Sequence, residues 1–228
     1  MDFIGSRENA EALRQICFAL FVIYILYFAY DLLLGDEMRA LWTLFAIILA
    51  LIPFLFERYF GLYFPWVIKI TIILSMLLHT TGEVHRWYYI YAPYYDKISH
   101  IVSTLAISYL IFFFIIFVTL YTELKWTANK VIFFIIALSM SFAFFWEWWE
   151  LFSDQYFGSS FFWDMPDGVS DIIVDFLAAS YVALFANGYL RNRTWDDVSR
   201  DFVKIDIKKL YGLKNHIRED KSKSSDLE

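Results

Sequence analysis

The sequence predicts an all-α integral membrane protein with six transmembrane helices. Hydrophobic residues make up 60% of the 228-residue chain and charged residues only 19%, a balance that is unusual for a water-soluble domain. The apolar residues form six stretches of nearly the length that a helix needs to cross a bilayer, about 17 to 25 residues. Helices are expected because a backbone in hydrocarbon must satisfy its own hydrogen bonds.

In chain order, the six predicted spans form one membrane domain over residues 16–190. The first two are joined by a short segment, residues 35–40, which predicts a tight helical hairpin. The second span is the shortest. A carboxylate followed by proline favours a helix start, so Asp164 and Pro166 are expected to begin the last helix. The predicted spans are Ile16–Leu34, Leu41–Phe56, Trp66–Val84, Ile98–Tyr121, Val131–Phe152 and Val169–Leu190.

Two polar segments flank this membrane domain. Residues 1–15 form the N-terminal segment, and they lack the pattern of a cleavable signal peptide. The tail, residues 191–228, repeats apolar residues at helical spacing, which predicts a short amphipathic helix with a disordered end. The residues that carry this pattern are Trp195, Val198, Phe202 and Ile205.

The basic residues predict the orientation. Short loops rich in Lys and Arg stay in the cytoplasm, and fifteen of the nineteen basic residues fall on the side that holds both termini. The other side has only Arg39, Arg86 and Lys97. Both termini are therefore predicted to be cytoplasmic. Lys69 lies one turn inside the third span, where its side chain is expected to reach back to the interface.

Composition also excludes some partners and sites. A net charge of -6 argues against nucleic acid as a partner, because phosphate recognition needs a basic surface. Cys17 is the single cysteine, so a disulfide within the chain and a cysteine-based metal cluster are both excluded. Membrane lipids are the expected partners, and the oligomeric state stays open.

Ionisable residues are costly inside a membrane and mark function by default. Here they gather at one depth, toward the predicted outer face, although they come from four different spans. Their spacings of three, four, seven or eight residues place them on one face of each helix. Lipid would repel such faces, so we expect them to meet inside the bundle as a pocket. The residues are His79, Glu83, His85, Asp96, Lys97, His100, Glu147, Glu150, Asp154, Asp164, Asp167, Asp171 and Asp175.

Close carboxylates disfavour one another's ionised form unless cations compensate them. Shared protons, basic partners such as Arg86 and Lys97, or a metal ion would each supply that compensation. Mixed imidazole and carboxylate side chains on facing helices are typical of metal sites in helical bundles. The predicted ligands of a divalent metal ion are His79, Glu83, Asp96, His100, Glu150 and Asp171. A spare carboxylate, Glu147 or Asp175, is the predicted general base.

A short pattern resembles the VanZ-like membrane proteins and their YjdF-type relatives over about residues 79–186. In that family Asp-Lys-x-x-His opens one span, a Glu ends the next, and an Asp begins the last. The matching residues are Asp96, Lys97, His100, Glu150 and Asp171, and Trp163-Asp164 is similar to a motif of the YjdF-type branch. Asp175 departs from the pattern, since many VanZ-like sequences have Asn there. The resemblance implies a multi-pass cell-envelope protein and supplies no established reaction.

Three functions fit these residues. The first is a metal-dependent hydrolase or transferase that acts on the head group of a lipid or a lipid-linked sugar, with its pocket facing outward. The second is a proton- or cation-coupled transporter in which Asp175 and Asp31 are the ionisable groups that bind the proton or cation deepest in the membrane. The third is a non-catalytic structural or partner-binding envelope protein, in which the acids pair with basic side chains.

Overall fold

The computed structural model of this chain describes residues 7–60, 63–122, 124, 126–157, 164–191, 193–195 and 197–198. Within these residues the fold consists of seven α-helices and no strands. Six of them, all except the short α4, are long and apolar enough to cross a membrane. The predicted six-span, all-α fold is therefore confirmed. The helices are α1 Arg7–Leu33, α2 Glu37–Phe60, α3 Trp66–His85, α4 Trp87–Ile90, α5 Tyr94–Tyr121, α6 Ala128–Phe157 and α7 Met165–Leu190.

The helices extend beyond the apolar stretches that predicted them. The second span was expected to be short, yet α2 has 24 residues and includes Glu37 and Arg58 at its ends. Likewise α1 begins at Arg7, so most of the polar N-terminal segment continues the first helix. Charged residues such as Glu and Arg are good helix formers, so backbone hydrogen bonding continues past the point where the apolar sequence stops.

The bundle consists of two groups of three helices. In the first group, α1 and α2 pack against each other and against α3; in the second, α5, α6 and α7 pack against one another. The two groups meet where α3 packs against α5. Contacts such as that between Lys97 on α5 and Asp167 on α7 join the beginnings of these two helices. We call this the polar end of the bundle: it contains the ends of α1, α3 and α6 and the beginnings of α2, α5 and α7.

The larger apolar core lies at the end of the bundle opposite the polar end, between the second group and the start of α3. It is formed by the later turns of α5 and α7, the first turns of α3 and α6, and side chains from the segments beside them. Its fully buried members include Ile68, Phe112, Ile116, Val131, Ile135 and Val182. This distribution leaves the polar side chains of α5, α6 and α7 concentrated in the other half, next to the polar end.

Two local features shape the polar end. Arg86 has a left-handed backbone (φ 56°) that ends α3, and α4 then folds back so that Tyr88 lies against Gly82. A Cβ atom on Gly82 would approach Cε1 of Tyr95 to 2.7 Å, so only glycine allows this close packing. At the start of α7, Asp164 accepts a hydrogen bond from Asp167 N at 2.8 Å. The predicted helix start at Asp164 is confirmed.

Lys69 has a partner that the sequence analysis did not predict. Its side chain is 3% exposed, and Nζ lies 2.7 Å from Glu57 Oε1. The ammonium group also lies 4.2 Å from the ring centroid of Trp66. The sequence gave no reason to pair Lys69 with an acid on the preceding helix. Packing of α2 against α3 supplies that partner.

The beginning of the tail packs against the bundle. Val198 is buried and Trp195 is partly buried, and both contact the larger apolar core. Arg193 lies over the ring of Tyr189, with its guanidinium carbon 4.4 Å from the ring centroid. The rest of the predicted amphipathic pattern, Phe202 and Ile205, lies outside the described residues.

Candidate metal site

His100 is held in a fixed orientation near the start of α5. Its side chain is 6% exposed, and Nδ1 lies 3.1 Å from Asp175 Oδ2 on α7. The other oxygen of Asp175 accepts a hydrogen bond from Thr104 Oγ1 at 2.6 Å. Which nitrogen of the neutral ring carries the proton depends on the tautomer. When Nδ1 donates to Asp175, the neutral ring keeps the lone pair of Nε2, as in a metal-binding histidine.

Three carboxylates surround Nε2 of His100. Asp96 Oδ1 and Glu147 Oε1 each lie 3.8 Å away, and Asp171 Oδ1 lies 4.0 Å away. The ligand atoms of Asp96, His100 and Asp171 all lie within 4.8 Å of one another. Metal bonds to such ligands are about 2.0–2.2 Å long, so two ligands of one ion are separated by at most about 4.4 Å. The cluster needs only a small contraction to enclose an ion.

Glu147 is the least satisfied member of the cluster. Its side chain is 11% exposed, and among the described residues no hydrogen-bond donor reaches either of its carboxylate oxygens. Burying a carboxylate without such donors is costly. A cation at the centre of the cluster would remove that cost.

Lys97 is the second basic group of the site. Its Nζ lies 2.6 Å from Asp167 Oδ1, 2.7 Å from Asp171 Oδ1 and 3.5 Å from Asp96 Oδ2. In the part of the chain that the structure describes, these ion pairs and those of His100 join two basic side chains to five carboxylates. The acids are Asp96, Glu147, Asp167, Asp171 and Asp175. The site therefore has more acids than bases even when His100 is charged.

His79 lies outside this cluster and belongs to a network of hydroxyl groups. Its Nε2 is 3.1 Å from Ser103 Oγ, which in turn is 2.8 Å from Ser75 Oγ. Its Nδ1 is 2.6 Å from the hydroxyl of Tyr88, which also lies 3.2 Å from Ser99 Oγ. Burial raises the pKa of Tyr88 well above its ordinary range, so its hydroxyl keeps its proton for these hydrogen bonds. Both ring nitrogens of His79 are thus engaged.

The other predicted residues lie around the cluster. Glu150 is half-buried on α6, near Glu147, and interacts with the side chain of Trp146. Glu83 is exposed at the end of α3. His85 is also exposed, and its Nε2 lies 3.1 Å from the hydroxyl of Tyr27. Asp154 is half-buried near the end of α6 and Asp164 caps α7.

Asp31 lies on α1, in the other group of helices. It is fully buried, and Thr43 Oγ1 on α2 donates a hydrogen bond to its Oδ2 at 2.8 Å. This contact joins the two helices of the first hairpin. The contact of Asp31 with Thr43 is thus separate from the contacts of Asp175, which is bound to His100 and Thr104 on α5.

The sequence analysis gave the hydroxyl residues no role in the site. Thr104 binds Asp175, Ser103 binds His79, and Tyr88 binds both His79 and Ser99. One signal was present: Thr104 follows His100 by four residues, so both side chains lie on one face of α5. Ser and Thr are common in membrane helices, where they also bind their own backbone, and their spacing alone does not single them out.

A comparison with known families agrees with this architecture. Residues 13–192, which include all of the cluster, match a family described as predicted membrane protein, DUF2238. The chain belongs to the DUF2238 family. In this DUF2238 member the match begins within α1 and ends just after α7, so it covers most of the first span and all of the other five. No curated protein and no solved structure matches the chain.

Proposed function

We propose that this protein binds a divalent metal ion at the polar end of its bundle and uses it on the head group of a membrane lipid or lipid-linked sugar. The observation that carries the proposal is the ring of three carboxylates around His100 Nε2, at 3.8–4.0 Å. Imidazole and carboxylate together suit ions such as Zn²⁺ and Mn²⁺. The proposed ligands lie within the first two turns of α5 and α7, and the ends of spanning helices are where head groups would reach a protein.

Each residue has a distinct role in this proposal. Asp96, His100 and Asp171 are the ligands, and three protein ligands leave a position for water or substrate. Asp175 orients His100 through Nδ1, which differs from the role of general base that the sequence suggested for it. A divalent ion acidifies bound water, and Glu147 is placed to accept the proton because its oxygens are not engaged in hydrogen bonds among the described residues.

The geometry supports a one-sided site better than a transport path. On the side of Asp175 that faces away from the polar end, the buried hydroxyls of Ser108 and Ser139 lie 2.7 Å apart and form a hydrogen bond. Beyond them, α5 and α6 bury Phe112, Ile116 and Ile135 completely. A path for ions or protons would need polar groups through about 30 Å of hydrocarbon. Among the described residues, that half of α5, α6 and α7 forms an apolar core instead.

Two parts of the proposal rest on the sequence. The excess of basic residues on the side of both termini supports an outward-facing polar end in the cell envelope and cytoplasmic termini. The VanZ-like resemblance is supported by the way in which its separated motif residues, Asp96, His100 and Asp171, come together in the fold. That family resemblance adds no reaction.

Metal analysis tests the site directly. We expect about one Zn²⁺ or Mn²⁺ per chain in wild-type protein purified in detergent without chelators, and none in the His100→Gln or Asp171→Asn variants. His85→Gln is the matched control, because it removes an exposed histidine at the same end. Wild-type protein that contains no metal and binds neither Zn²⁺ nor Mn²⁺ in a titration would contradict the proposal.

The chemistry and the orientation need separate measurements. Reconstituted protein should release a head group from bilayer lipids or lipid-linked sugars in a metal-dependent way, detected by mass spectrometry, and Glu147→Gln should abolish turnover but keep the metal.

For orientation, Ser159→Cys and Ser222→Cys are compared in a Cys17→Ala background with an impermeant thiol reagent on intact cells. Labelling at 159 alone is expected; labelling at 222 alone would reverse the orientation.

A further inference from the structure

The ammonium group of Lys97 contacts two of the carboxylates that are proposed metal ligands. Its Nζ lies 2.7 Å from Oδ1 of Asp171, the same oxygen that faces His100 Nε2 at 4.0 Å. It also lies 3.5 Å from Oδ2 of Asp96, whose other oxygen faces His100. Two of the three proposed ligands are therefore in contact with a tethered cation.

An ammonium group and a metal ion compete for such oxygens. Both are cations, and two cations within a few ångströms of each other in a buried site repel strongly. A metal ion at the centre of the cluster must weaken the contact of Lys97 with Asp171 and Asp96. The ammonium group then needs another anion, because an unpaired charge is costly in a buried site.

Asp167 supplies that second anion. Its Oδ1 lies 2.6 Å from Lys97 Nζ and its backbone carbonyl 3.4 Å, one turn before Asp171 on α7. Asp167 has no place among the proposed ligands. Asp167 can therefore remain paired with Lys97 when Asp171 binds a metal ion.

We propose that Lys97 competes with the metal ion for the carboxylates of Asp171 and Asp96. Its ammonium group pairs with them while the ion is absent and pairs with Asp167 alone when the ion binds. The inference rests on the proposed metal site and adds a regulating residue to it. The measured affinity for the ion then depends on how strongly Lys97 competes with it for the same carboxylate oxygens. This competition also gives Asp167 a role that depends entirely on Lys97.

A double-mutant cycle tests the inference. Dissociation constants for Mn²⁺ and Zn²⁺ are measured by calorimetry on the full chain in detergent, for wild type, Lys97→Met, Asp167→Asn and the double variant. Lys97→Met should bind at least ten times more tightly, because the competitor is gone. Asp167→Asn should bind several times more weakly, since Lys97 loses its alternative partner. In the Lys97→Met background, Asp167→Asn should have no further effect.

Controls make the outcomes distinguishable. Lys130→Met removes an exposed lysine at the other end of the bundle and should leave both dissociation constants unchanged. If the wild type binds an ion but Lys97→Met binds it equally or more weakly, the role of Lys97 is wrong while the metal site stands. If the wild type binds neither ion, both proposals fail. Where Lys97→Met does not fold, an Asp167→Asn affinity equal to that of wild type overturns the inference alone.

Discussion

Two buried charge sites lie at opposite ends of this bundle, and they are built differently. At one end, Lys69 and Glu57 form a pair at 2.7 Å, one cation with one anion. Glu57 Oε1 also accepts a hydrogen bond from Phe64 N at 2.7 Å. The rings of Phe54, Tyr63 and Trp66 surround the ammonium group at 4.2–5.2 Å. Every charge in this site has a partner.

At the polar end the charges are uneven. Two basic side chains meet five carboxylates, and both oxygens of Glu147 lack a hydrogen-bond donor among the described residues. The two sites therefore differ in their balance of charge. A matched pair is complete, whereas an excess of acids needs shared protons or a bound cation, and the metal ion proposed above is one such cation.

The largest expected effect comes from breaking the balanced pair. Lys69→Met or Glu57→Gln should lower the free energy of unfolding by about 3–5 kcal/mol, because each leaves the other charge buried without its partner. Unfolding by SDS in lipid bicelles measures the change. The double variant should recover much of the loss, since no lone charge remains. A loss below about 1 kcal/mol in both single variants would mean that the pair is not structural.

The opposite response is expected at the polar end. Glu147→Gln should leave metal-free protein as stable as wild type, or more so, because it removes one carboxylate from an overcharged cluster. Wild type should gain about 2.7 kcal/mol in its free energy of unfolding when Mn²⁺ is present at 100 times its dissociation constant. His100→Gln should lose that gain, and equal stabilisation of this variant by Mn²⁺ would place the ion elsewhere.

A smaller effect is expected behind His100. Asp175→Asn keeps the size of the side chain but weakens the hydrogen bond that orients the ring of His100 through Nδ1. Metal affinity should therefore fall about 10–100-fold, as is typical when a partner of a ligating histidine is lost. Thr104→Val should produce a smaller fall, since it removes only the hydrogen bond to Asp175. Calorimetric titration with Zn²⁺ measures both, and unchanged affinity in Asp175→Asn would separate this residue from the site.

The smallest effect on metal binding is expected at His79. Both of its ring nitrogens are within hydrogen-bond distance of hydroxyls, so His79→Gln should keep the metal content of wild type. Its free energy of unfolding should fall by about 1–3 kcal/mol, because Ser103 and Tyr88 lose a buried partner. Loss of stoichiometric metal in this variant would restore His79 as the ligand that the sequence analysis predicted.

The sequence predicted the fold more fully than the site. Long apolar stretches specify spanning helices almost independently of tertiary contacts, because hydrocarbon leaves the backbone no other way to satisfy its hydrogen bonds. The start of α7 at Asp164 was likewise predictable, since a cap depends on a few adjacent residues. The start of α3 at Trp66 and the ends of α5 at Tyr121 and α7 at Leu190 were predicted as well. The bounds of α2 and α6 were not, because helical hydrogen bonding in these two helices continues into polar sequence.

The site was predicted as a group of helix faces but not as a set of contacts. Spacing alone placed Asp96 with His100 and Asp171 with Asp175, and the fold brings these two pairs together. Spacing also placed His79 with Glu83, yet the structure leaves Glu83 exposed. A helical face is a broad sector, so periodicity does not tell which member of a face reaches the centre.

The sequence by itself determined six helical spans, their alternating direction and one end rich in acids and histidines, because these properties depend on local composition and helical period. Only the tertiary structure decided which charges meet. Asp175 lies 75 positions from His100 in the chain, and Lys97 lies 70 positions from Asp167. Rotation of each helix about its axis and its depth against its neighbours set these contacts, and both are outcomes of packing among several helices at once.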